Sequence, residues 1–120
     1  FEYLMRQLAP LGLSYIHVIE GVTGGAREIA DRPFDYHALK DAYRQAGGRG
    51  AWIVNNGYDK PLAEQAVHSG YADAVAFGKA FIANPDLVRR LAEDLPWNSW
   101  KTESFYGGNA EGYTDYPLAK

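Results

Sequence analysis

The chain has 120 residues, 47% hydrophobic and 22% charged, with a formal net charge of −3. That composition is too apolar for disorder and suits one globular domain, and its mild acidity excludes a generic nucleic-acid footprint. There is no cysteine and only three dispersed histidines, His17, His37 and His68, which excludes disulfides, thiol catalysis and a metal-ligand cluster.

The opening segment, FEYLMRQLAPLG, places Tyr3, Leu4, Leu8 and Leu11 at helical spacing and closes on Gly12. It reads as the end of a helix with no initiator methionine before it, so the chain is expected to be a fragment of something longer. LSYIHVIEG, apolar on both alternating faces and β-branched, predicts a strand buried on two sides, as in parallel sheets. VTGGAREIADRP is a glycine-bearing loop. Asp35 caps the predicted helix YHALKDAYRQAG, where Tyr36, Leu39, Tyr43 and Ala46 share a face and Gly47 is the stop. AWIVNNG is a second strand. KPLAEQAVHSG is a helix with Pro61 in its first turn, Leu62, Ala66 and Ser69 on one face, and Gly70 as C-cap. DAVAFG is the third strand. PDLVRRLAEDL is the last helix, with Asn84 as N-cap, Pro85 at its first position, and Leu87, Leu91 and Leu95 inward.

No apolar run is long enough to cross a bilayer and no signal-peptide pattern is present. With the lack of cysteine, this fits a cytoplasmic protein. The alternation of helix and strand, with units of roughly thirty residues, is the rhythm of right-handed βαβ crossovers. Two architectures use it, the doubly wound sheet and the (β/α)8 barrel. The first wants G-x-G-x-x-G after the opening strand, and EGVTGGAR does not supply that spacing. A barrel needs about 250 residues. The predicted fold is therefore α/β, the C-terminal portion of a (β/α)8 TIM barrel.

Barrels bind ligands at the C-terminal ends of their strands, with phosphate sites after the last two strands. NNGYD, residues 55–59, follows the second predicted strand, and Asn56-Gly57 can bend sharply and turn main-chain N–H groups outward. GKAFIA, residues 78–83, follows the third and is long enough for one helical turn. There Gly78 leaves room for a phosphate, the turn offers free N–H groups, and Lys79 adds a positive charge. On these residues alone, a phosphate seat and an ordinary loop with a solvated lysine both remain open.

The combination of DAVAFGKAFIANPDLVRRL with ESFYGGNAEGYTDYP strongly resembles the C-terminal portion of the Old Yellow Enzyme family, FMN-dependent ene-reductases of the N-ethylmaleimide reductase and xenobiotic reductase kind. The pattern A-F-G-R/K-x-F/Y-I-A-N-P-D-L followed by F-Y-G-G-x-A-E-G-Y-T-D-Y-P is specific to that family. YIHVIEG and NNGYDK fit its sixth and seventh strands, so the resemblance runs essentially the length of the chain. It implies that residues 1–96 are the last βα units, about strands 6–8, carrying the FMN phosphate-binding loops. Residues 97–120 would then be a tail near the active-site mouth. The implied cofactor-binding residues are Asn55, Asn56, Gly57, Gly78 and Lys79, and Tyr106, with Phe105 beside it, is the implied substrate contact. Lys79 departs from the family's arginine, replacing a planar fork with a movable point charge.

The resemblance further implies reduction of FMN by NAD(P)H and hydride delivery to an alkene activated by a carbonyl or nitro group, such as an enone or maleimide. The family's His-His or His-Asn pair and its proton-donating tyrosine lie on earlier strands, so no catalytic residue is expected in this chain. The implied partner is the missing N-terminal part of the barrel. A second reading is a non-catalytic half-barrel that associates with a complementary half or with itself through unpaired strand edges. A third, a barrel holding a sugar phosphate, fits the loops but not the tail.

Other conspicuous residues have plainer readings. His17 is expected to be a hydrogen-bonded core histidine, and His37 and His68 surface groups on helices. Glu20 ends the first strand on the side a site would occupy, or caps a loop. Glu93 and Asp94 read as a solvated helix end, and Trp97 and Trp100 as packing residues beside a turn.

Overall fold

The computed structural model describes residues 1–120, in two compact units, Phe1–Ala76 and Phe77–Lys120. In the first unit, helix α1 (Glu2–Leu8) runs into a 3₁₀ turn, Ala9–Leu11, which ends where Gly12 turns left-handed at φ 65°. Helix α1 packs against α2 (Tyr36–Gln45), and it is Met5 and Ala9 that are buried. Tyr3, Leu4 and Leu11, three of the residues at helical spacing, are exposed. Their spacing is helical, but the partner helix covers the neighbouring face.

Strands β1 (Tyr15–Ile19), β2 (Ala51–Asn55) and β3 (Ala74–Ala76) form a parallel sheet in the order β1-β2-β3. The register sets Ile16 beside Trp52, and Val18 beside Val54 beside Val75. Trp52 and Val54 are fully buried, and Tyr43 of α2 lies over Trp52 with ring centroids 6.1 Å apart. The expected two-sided burial of the first strand is not what forms. β1 buries Ile16 and partly Val18, whereas Tyr15, His17 and Ile19 are exposed on the alternate face. Strand residues alternate faces, and within this unit the helices cover one face. His17 is accordingly an exposed residue, not a core histidine.

The caps follow local chemistry. Asp35 accepts from the Ala38 N–H at 2.9 Å and starts α2; Asp59 does the same for Leu62 at 2.9 Å and starts α3 (Lys60–His68). Lys40 ties the two helices' ends together, donating to the carbonyls of Gly70 at 2.7 Å and Tyr71 at 2.9 Å. Asp73 accepts from the Trp52 N–H at 2.6 Å and pairs with Arg44 at 3.1 Å, which aligns the start of β2.

In the second unit, α4 (Lys79–Ala83) is a short helix, α5 (Leu87–Glu93) the main one, and Thr102–Ser104 a 3₁₀ turn. Asn84 is not the cap of the main helix. Its amide donates to Ala80 O at 2.8 Å and its oxygen accepts from the Asn98 N–H at 2.7 Å, so the side chain is fully buried as a brace. The helix starts later, with Asp86 at the cap position and Leu87 buried. Phe77 meets Trp97 edge-on at 5.8 Å. Glu93 and Asp94 lie exposed at the helix end, as expected. No helix is long and apolar enough to cross a membrane.

Candidate functional site

The loop after β2 holds Asn55, Asn56 and Gly57 in one turn. Asn56 and Gly57 are both left-handed, at φ 94° and 68°. Two positive-φ residues in succession bend the chain sharply out of the strand. The asparagine side chains tie the loop to neighbouring segments. Asn55 Nδ2 donates to Ala76 O at 2.6 Å, bridging β2 to β3; Asn56 Nδ2 donates to Glu20 O at 2.6 Å and Val22 O at 3.1 Å. The main-chain N–H groups of Asn56, Gly57 and Tyr58 donate to no group of the chain.

In the second unit, α4 begins directly after Gly78. Phe81 and Ile82 donate to Gly78 O at 2.9 and 3.1 Å, while the N–H groups of Gly78, Lys79 and Ala80 have no acceptor in the chain. A Cβ built on Gly78 would meet nothing within 4 Å, so the approach to this backbone is open. Lys79 is exposed and makes no ion pair. Each loop, taken within its own unit, offers unpaired main-chain N–H groups, and the second adds the exposed Lys79. Donors of this chemistry fit a phosphate such as that of FMN.

Tyr106 stands in the second unit with Gly78 and Lys79, without a hydrogen bond or ring contact to either, and is 93% exposed. The segment beneath it is ordered by its own bonds. Ser104 Oγ donates to Gly112 O at 2.9 Å, Asp115 accepts from the Gly112 N–H at 2.7 Å, and Tyr116 Oη accepts from the Lys101 N–H at 2.9 Å. An internally hydrogen-bonded segment thus presents an exposed aromatic ring.

Sequence reasoning left Glu20 between two roles, and the structure gives it a third. Its side chain, 1% exposed, sits beneath the loop after β2. Oε2 accepts from Tyr58 Oη at 2.8 Å and lies 3.5 Å from the Arg27 guanidinium; Oε1 accepts from Tyr71 Oη. Arg27 also lies over the Tyr58 ring, 5.5 Å from its centroid, and pairs with Glu28 at 2.8 Å. Burial, and then the carboxylate beside them, push both tyrosine hydroxyls well above their ordinary value of 10.0, so they stay protonated donors. The cluster borders a cleft of ≈ 910 Å³ within the first unit, with Tyr36, Phe34 and His37 on its other walls. The glutamate at a strand end was visible in the sequence; its partners, scattered over fifty residues, carried no local signal.

Comparison with known proteins places these loops in context. Residues 2–98 match the family model described as the NADH:flavin oxidoreductase / NADH oxidase family. Over 122 residues the chain is 38% identical to 12-oxophytodienoate reductase 1 of Oryza sativa subsp. japonica, covering 98% of the chain and 30% of that protein. It superposes on the old yellow enzyme from Trypanosoma cruzi with a TM-score of 0.82 at 36% identity, over 99% of the chain and 29% of that structure. Morphinone reductase in complex with tetrahydroNAD gives 0.79 at 35% identity, over 99% of the chain and 30% of that structure. The chain spans about a third of the length of the relatives it matches.

Proposed function

Because the chain belongs to the NADH:flavin oxidoreductase / NADH oxidase family, of the Old Yellow Enzyme kind, we propose that it is the closing part of a (β/α)8 barrel that reduces activated alkenes with FMN and NAD(P)H. In this reading Asn55, Asn56 and Gly57 bind the flavin phosphate, as do Gly78 and Lys79. Tyr106 reaches toward the substrate from the tail of residues 97–120. The observation that carries it is that the family match runs through both loops whose N–H groups lack acceptors. When bound, FMN passes hydride from NAD(P)H to a C=C bond conjugated to a carbonyl or nitro group. The residues here hold the flavin in place by main-chain donors and one cation; the groups that polarise the substrate and deliver a proton belong to the part of the barrel outside this chain.

The sheet supports the need for that part. The order β1-β2-β3 leaves one edge each of β1 and β3 unpaired, and Tyr15 and Ile19 are exposed on the open face. The same edges support the second reading, a non-catalytic half that joins a complementary half or a second copy. The coding sequence upstream of Phe1 separates them: an in-frame stretch of about 240 residues favours the enzyme, a nearby start codon the half-barrel. The protein expressed from its natural frame is then expected to carry flavin absorbance and to oxidise NADPH in the presence of an enone or maleimide. The isolated 120-residue chain is expected to bind FMN weakly and to show no turnover. Colourless, inactive protein from a full-length frame overturns the proposal.

A further inference from the structure

We propose that Glu20 is a positioning residue for the flavin-phosphate loop, gripping it from beneath at both flanks; the inference rests on the reading of residues 55–57 given above. Glu20 makes three of the loop's attachments, beside those to Ala76 O and Val22 O. The Glu20 N–H donates to Asn55 O at 3.0 Å, Glu20 O accepts from Asn56 Nδ2 at 2.6 Å, and the Glu20 carboxylate accepts from Tyr58 Oη at 2.8 Å. The residue left ungripped between them, Gly57, is one whose N–H has no acceptor in the chain. Behind the carboxylate, Tyr71 and Arg27 hold its position from two other segments.

A carboxylate that is 1% exposed is costly to bury unless each oxygen is paired. Here the Glu20 main chain holds Asn55 and Asn56, and its carboxylate adds the one side-chain tie, to Tyr58 on the far flank of the loop. A bulky apolar residue would fill the same space without holding Tyr58. The side chain touches no reacting atom, and its effect reaches the cofactor only through the loop.

The two tyrosines make the test internal. Both donate to Glu20, but only Tyr58 belongs to the loop; Tyr71 lies before β3. Tyr58→Phe and Tyr71→Phe each remove one hydrogen bond to a buried carboxylate while keeping ring volume, so their structural cost is comparable. The protein expressed from its natural frame is titrated with FMN and with riboflavin, which lacks the phosphate. We expect Tyr58→Phe to weaken FMN on the order of tenfold with little change for riboflavin, and Tyr71→Phe to leave that ratio unchanged. Glu20→Gln, if it folds, behaves like Tyr58→Phe.

Equal ratios in Tyr58→Phe and the unmodified protein overturn the positioning role and leave the phosphate reading standing. A ratio lowered equally by both variants also overturns it, since a general loss of stability then accounts for the effect. Unmodified protein that binds FMN no better than riboflavin overturns the phosphate reading and this inference with it.

Discussion

Arg90 and Asp86 lie one helical turn apart, with Nε 2.7 Å from Oδ1, and both reach beyond the helix to the end of the chain. Arg90, 3% exposed, also donates to the carbonyls of Pro96 and of Pro117, the latter at 2.9 Å. The second oxygen of Asp86 accepts from the Ala119 N–H at 2.7 Å. Asn98 completes the clasp by donating to Pro117 O at 2.8 Å. An ion pair of a single helix is thereby the fastening of the tail that carries Tyr106.

Arg90→Met keeps much of the apolar stem and removes the charge and its donors. It is expected to cost about 2–4 kcal/mol, because buried carbonyls and a carboxylate lose their partner. Thermal denaturation measures the loss, and limited proteolysis is expected to cut within residues 97–120 first. An unchanged melting temperature and an intact tail would refute the clasp.

The same clasp should loosen in acid. The Ala119 N–H, and after it Arg90, hold the Asp86 carboxyl below its ordinary value of 3.8. A depressed value means that the contribution is present above the unfolded-state value and is lost as pH falls through the folded one. Protection of the Ala119 amide, relative to its unfolded exchange rate, is therefore expected to persist down to about pH 4 and to fall below it. Protection lost already near neutral pH would contradict the assignment.

Tyr58 and Tyr71 predict the opposite limb. Their folded-state values lie above the ordinary 10.0, from burial first and the Glu20 hydrogen bonds second. The stabilisation is fully present below pH 10 and disappears as pH rises toward the folded values, because the unfolded chain ionises first. Tyrosinate absorbance and circular dichroism recorded together are expected to show these two ionising only as the fold is lost. Ionisation near the ordinary value in intact protein would mean that the cluster is not closed.

Lys79 is exposed and stands at the start of α4 without an ion pair. In the flavin-binding protein, Lys79→Gln is expected to weaken FMN on the order of tenfold and to spare riboflavin. Lys79→Arg is expected to tighten FMN severalfold, since the planar fork engages two oxygens where an ammonium engages one. Flavin fluorescence titration at low and high salt checks both, and the Gln effect should shrink with salt.

Gly21 follows Glu20 at φ 71°, and a Cβ there would run into the carbonyl oxygens of Ala26 and Arg27. Gly24 has φ 76° but open space around it. Gly21→Ala is expected to cost on the order of 3 kcal/mol and Gly24→Ala only about 1, the price of the left-handed backbone alone. Denaturant melts of the pair separate collision from conformation. Equal costs would show that the loop yields freely.

Much of this molecule is legible from short stretches, because helix ends, turn glycines and alternating strands are properties of a few neighbouring residues. Asp35 is recognisable as a cap from its place before YHALKDAYRQ, and its bond to Ala38 follows. Asn84 looks equally like a cap, yet Asn98 claims its oxygen from fourteen positions away, and the helix starts later. His17 sits in an apolar string, yet exposure depends on which face of the sheet the helices cover. For the candidate site, NNG and GK mark the loops, but nothing local tells that the Asn55 amide is engaged by Ala76 of β3 and the Asn56 amide by Glu20 and Val22 after β1.

By itself the sequence determines the βα rhythm, the positions of the two loops and the resemblance to a flavin-dependent family, since each is written in contiguous residues. Tertiary structure alone decides what holds those loops. Glu20 meets Tyr58 across 38 positions and Tyr71 across 51, and Arg90 meets Pro117 across 27. Such partners are set by how parallel strands and chain ends are brought side by side, and no periodicity along the chain records that proximity.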